Sequence, residues 1–213
     1  MTKKITDTTE FWVVVIAILV IILLGLAFYW VKYFFTNNYY NYEGNEGEYN
    51  IGKSKVGDVI FYHISVFYND HEYIYSFRNH PKDLEYISLE PNLFTKINRP
   101  GSLKTLFVTR DIELANMTNS DSVLAAVSFE QILTGEYAIY DLRLTNTYTT
   151  KVRDDLSVID CNSVNNNIAV IYIKIGEEEK IYSDGDCIII QGRGGEGLIR
   201  ASEKFAYYLL GVF

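Results

Sequence analysis

Residues 11–35 read FWVVVIAILVIILLGLAFYWVKYFF, 25 positions interrupted by a single charge, Lys32. A soluble core helix seldom needs more than about a dozen consecutive apolar residues, whereas a hydrocarbon layer of ~30 Å needs about 20. In lipid, a lone segment can satisfy its backbone hydrogen bonds only as a helix. Phe11 and Trp12 stand at one end, and Phe28, Tyr29, Trp30, Tyr33, Phe34 and Phe35 at the other, as interfacial aromatic belts do. The expectation is a transmembrane helix that holds the chain in a bilayer.

Two other readings share this outline. A cleaved signal peptide would take Lys3 and Lys4 as its basic region and Gly25-Leu26-Ala27 as its cleavage site. The apolar stretch, however, outlasts the usual hydrophobic region of about 7–15 residues and runs on well past Ala27. Pilins and archaeal flagellins also place a hydrophobic helix before a β-rich head. Here no glycine cleavage site precedes the run, and Glu10 lies before it rather than inside it. An uncleaved anchor is therefore expected, and the basic bias of the short tail (residues 1–10) favours a cytoplasmic N-terminus with the C-terminal part outside.

Beyond the anchor lie residues 36–213, enough for one ordinary domain. The tail and anchor contain Lys3, Lys4, Lys32, Asp7 and Glu10, which leaves 16 basic and 25 acidic residues in the remainder, a net of −9. That balance argues against nucleic acid and against anionic headgroups as partners, because both would be repelled. Cys161 and Cys187 both fall in the exported part, where one disulfide is expected to form. They lack the spacing and the neighbouring histidines of a metal site. Asn116-Met117-Thr118 is an N-glycosylation sequon.

Residues 36–54, polar and punctuated by glycine, read as a juxtamembrane linker, with the exported domain over 55–213. Residues 59–68 and 72–77 are β-branched and aromatic on either side of Asn69-Asp70-His71, a hairpin signal. A strand is expected over 103–109, and a helix from Asn119 or Ser120 to Gly135. Strand character returns over 137–149. The stretches 168–175 (IAVIYIKI) and 187–190 (CIII) are the most apolar and are expected at a sheet centre. A final helix spans 196–210. Helices alternating with apolar strands predict an α/β or α+β domain with a mixed sheet and two main helices.

The sharpest motif is Gly192-Arg193-Gly194-Gly195-Glu196-Gly197, which matches G-x-G-x-x-G between a predicted strand and a helix. Such glycines can admit a phosphate to a helix N-terminus. Against that use, no second strand follows to complete a βαβ unit, and Glu196 would sit beside the phosphate. A tight turn is the simpler expectation. The hairpin could bring His63 close to His71 or Tyr73 as a surface metal site. Plain surface or strand histidines are the simpler expectation for His63, His71 and His80, and Asp111 and Glu113 are ordinary carboxylates at a strand end. No nucleophile signature occurs, so neither a catalytic residue nor a cofactor is expected.

The segments FRNHPKDLEYI, VTRDIELANMT and CIIIQGRGGEGLIRASEKFAYYLLGV resemble uncharacterised single-pass archaeal membrane proteins with an exported α/β domain. The resemblance covers about a third of the chain and carries over no functional residue. The reading is thus a membrane-tethered, non-catalytic domain for interaction or scaffolding in the cell envelope. Its partner is expected to be another envelope protein or a second copy of the chain. The contact surfaces would be the tyrosine-rich strands over 62–75 and the loop over 111–119. The alternative is an anchored enzyme or phosphate-binding protein that uses the 192–197 loop and Arg193.

Overall fold

A computed structural model describes residues 3–99, 101, 103–111, 114, 121–151 and 157–213. Helix α1 (Lys3–Asn38) contains an apolar stretch, Phe11–Lys32, of which no part is buried. It is long and apolar enough to cross a membrane. The chain divides into two compact units, Met1–Tyr40 and Asn41–Phe213.

The folded unit holds two sheets. The first is antiparallel, in the order β1 (Tyr39–Gly44), β2 (Gly47–Val56), β3 (Val59–Tyr68) and β4 (His71–Phe77). The β3–β4 hairpin forms as the sequence predicts, with Asn69 and Asp70 at φ 51° and 64°, positive values that suit a tight two-residue turn. The segment read as a linker is different: β1 and most of β2 lie within residues 36–54. Its polar, glycine-rich composition hides a hairpin that only tertiary packing reveals. Ile51 is fully buried, and Tyr42 and Tyr49 pack against the core. The Tyr49 hydroxyl donates to the Leu210 carbonyl at 3.3 Å.

The second sheet has six strands in the order β5 (Ser88–Leu89), β9 (Lys180–Asp184), β10 (Cys187–Gly192), β8 (Ile168–Ile175), β6 (Thr105–Arg110) and β7 (Leu144–Tyr148). β10–β8–β6–β7 run parallel, while β9 is antiparallel to β10, so the sheet is mixed. The two most apolar strands, β8 and β10, are its central pair, where both faces are covered. Of residues 137–149, read as strand, only Leu144–Tyr148 pairs. The amides of Ile139, Tyr140 and Leu142 instead cap the helix before them, bonding the carbonyls of Ile132 and Leu133.

Two main helices complete the unit, α2 (Asp121–Leu133) after β6 and α3 (Gly194–Leu209) after β10. The main core joins both sheets through them, drawing Ile64, Tyr75 and Phe77 from the first and Leu106, Ile171 and Ile190 from the second. The rings of Phe77 and Tyr207 stand 4.3 Å apart, and Phe129 meets Phe205 edge-on at 5.6 Å. A smaller cluster of Val170, Cys187 and Ile189 covers the far face of the six-stranded sheet. One mixed sheet was expected from the sequence, and an antiparallel sheet stands beside it because the predicted hairpin recruits β1 and β2.

Candidate functional site

The glycine motif sits where β10 turns into α3. Gly194 adopts φ +66°, a backbone region that side chains disfavour. The other glycines are filled by protein. A Cβ on Gly192 would overlap the backbone of Leu198, one on Gly195 would run into the Asp121 carboxylate, and one on Gly197 would lie 2.7 Å from Glu179 Oε1. Arg193 turns away, donating from Nε to the Glu177 carbonyl at 2.8 Å. Arg200 pairs with Glu179 at 2.6 Å, and that carboxylate also accepts from the Tyr86 hydroxyl. These hydrogen bonds hold Glu179 below the usual carboxylate range against the opposing effect of burial. A phosphate at this turn would therefore meet the carboxylates of Asp121, Glu179 and Glu196. Gly192, Gly195 and Gly197 thus let protein atoms approach the turn closely.

Cys161 and Cys187 form a disulfide across a sequence separation of 26 residues. Asn116 of the sequon, Glu113 and most of the 111–119 loop lie outside the described residues. Asp111 accepts from the Tyr172 hydroxyl at 2.6 Å and from the Thr149 hydroxyl at 2.8 Å, so it ties β8 to the end of β7. His63 is bracketed by Ser54 at 2.6 Å and Ser76 at 2.8 Å on the exposed sheet face. The register sets Tyr68, not His63, opposite His71. No cluster of metal-ligating side chains occurs among the described residues.

Of the four tyrosines of β3 and β4, Tyr68 is exposed. Tyr62, Tyr73 and Tyr75 face inward, where Tyr62 meets the His80 ring at 5.3 Å and the Tyr75 hydroxyl donates to the Tyr137 carbonyl at 2.9 Å. Phe67 (77% exposed) and Ile74 (65%) are presented instead. They are diagonal neighbours, because Phe67 stands opposite Glu72 and Ser65 opposite Ile74.

A cleft of about 560 Å³, lined in part by Phe67 and Tyr68 near the hairpin tip, could not be read from the sequence. Its walls are Tyr68, Phe94, Tyr140 and Tyr208, drawn from four separate stretches of chain, so no spacing rule could assemble them. The tyrosine hydroxyls are used in building the wall. Tyr140 donates to the Leu209 carbonyl at 2.8 Å, and the Phe94 amide donates to Tyr208 Oη at 3.0 Å. Burial, then the charge of Glu46, pushes Tyr140 up to about 12. The rim is set by the β1–β2 turn, where the amides of Asn45 and Glu46 bond the carbonyls of Val212 and Gly211. Concavity, aromatic walls and a few placed polar groups are the usual marks of a binding site.

Two further charged residues escape sequence reasoning because a helical charge normally faces water. Glu203 is 2% exposed and accepts from the amides of Arg78 (2.7 Å) and Asn79 (2.9 Å) and from the Asn79 side chain (2.7 Å). Lys204 is also buried. It donates to the carbonyls of Leu84 and Glu85 and lies 4.0 Å over the Phe213 ring. Together they fasten the segment after β4 to α3, a structural role. No protein family, curated protein or solved structure matches the chain.

Proposed function

We propose that the chain is a membrane-tethered, non-catalytic domain that recognises or scaffolds another component of the cell envelope, either another protein or a second copy of itself. Its N-terminus is cytoplasmic and its folded unit lies outside. The observation that carries this reading is the pairing of an unburied apolar helix with a folded unit that leaves Phe67 and Ile74 in solvent. Contiguous exposed apolar patches mark contact surfaces, and Phe67 and Ile74 are neighbours on one sheet face. The filled glycine loop weighs against the phosphate-binding alternative. The disulfide suits an oxidising compartment, in keeping with export.

A photo-cross-linking residue at Ile74 in native membranes tests the proposal. It should give a discrete protein adduct, absent when the same residue replaces Asp184 in the β9–β10 turn. Adducts with lipid alone, or none at Ile74, would refute it.

A further inference from the structure

The cleft supplies chemistry for a particular kind of group. We propose that it receives a lysine or arginine side chain of the protein partner, held over the aromatic walls with its charge against Glu46; this rests on the interaction reading above. Among the described residues that line the cleft, Glu46 is the only one with a charged side chain, and none is basic. Its carboxylate is exposed and has no ion-pair partner among the described residues. It is also fixed in place. Its amide bonds the Gly211 carbonyl at 3.2 Å, and its side chain packs over Gly211, where a Cβ would overlap it. Gly211, at φ +79°, thus gives up its side chain to the carboxylate.

The walls complete the match. Cations are attracted to the faces of Tyr and Phe within about 6 Å, and more strongly where water is excluded. The Tyr140 and Tyr208 hydroxyls are already engaged with backbone groups, and Tyr140 leans on Phe94 at 4.7 Å, so the wall offers aromatic carbon rather than free hydroxyls. The same kind of contact already occurs beside the cleft, where Lys204 lies over Phe213. A volume of about 560 Å³ holds a long side chain together with part of its backbone. An anion would be opposed by Glu46 and by the net charge of −8, which draws cations towards the protein. A purely apolar group would make no use of the carboxylate at the cleft's edge.

The test uses the full chain in nanodiscs, with ligand-observed NMR of four probes. These are the N-acetyl methylamides of lysine, arginine and norleucine, together with methyl glucoside. The lysine and arginine probes should bind at least tenfold more tightly than norleucine, the uncharged isostere. Glu46→Gln should remove most of that preference while leaving norleucine binding and the melting temperature unchanged. Phe94→Ala should weaken all three amino-acid probes. Equal binding of norleucine, tighter binding of the glucoside, or a cation preference that survives Glu46→Gln would overturn the assignment. The Ile74 cross-link reports separately on the interaction reading, so the failure of one is distinguishable from the failure of the other.

Discussion

At the scale of single residues, packing and burial decide what the glycines and charges of α3 can do. Gly192 is closed by backbone rather than by a movable side chain, so Gly192→Ala should cost about 3 kcal/mol, the upper end of overpacking effects. Gly194 has open space and only its positive φ at stake, so Gly194→Ala should cost about 1 kcal/mol. Chemical denaturation of the two variants in detergent checks the order, and a reversed order would restore an open loop. Glu203 makes a different prediction. Burial raises its pKa above the ordinary 4.5, although three N–H donors pull it back. The folded state therefore binds the proton more tightly than the unfolded one. Its contribution is greatest below about pH 4.5 and is lost as pH rises through the folded value. The stability of wild type relative to Glu203→Gln should accordingly fall as pH rises above about 4.5, and a difference independent of pH would contradict the assignment. The motif's glycines were visible in the sequence. The carboxylates that fill them come from Asp121 and Glu179, which only the fold brings there.

Among the elements, strands with strong periodicity were legible and strands made by context were not. The stretch IAVIYIKI could hardly be anything but a central strand, and the hairpin announced its turn with Asn69-Asp70. By contrast, β1 and β2 contain NYEG and GEYN, whose few inward residues, Tyr42, Tyr49 and Ile51, do not amount to a pattern. They become strands because β3 offers an edge and the core offers cover. Residues 137–143 fail in the opposite sense, since their β-prone side chains serve to cap α2. The cleft follows the same rule, being assembled from stretches far apart in sequence. The disulfide is the one long-range link that cysteine counting anticipated. It joins the turn at Cys161–Ser163 to the start of β10. Closing a loop of this length is worth about 3 kcal/mol in the loop-entropy model. The Cys161→Ser/Cys187→Ser double variant should lose about that much, as should the reduced wild type, and guanidinium midpoints compare the two. A variant as stable as the oxidised protein would show that the bond is incidental.

For the molecule as a whole, the structure shows an apolar helix long enough to span a membrane and an acidic, disulfide-linked folded unit, joined in the proposed function as a tether and an exported domain. Length and composition alone exposed the helix, because a run this long and apolar matches the thickness of a hydrocarbon layer. They set its direction less firmly, through Lys3 and Lys4 alone. The central claim is that one span holds the folded unit outside the membrane. Protease added to intact cells, followed by alkaline carbonate extraction and mass spectrometry of the pellet, tests it directly. The account predicts that residues 41–213 are digested from outside and that a fragment containing residues 11–32 stays in the membrane. A folded unit protected until the cells are broken, or a chain released by carbonate, would contradict it.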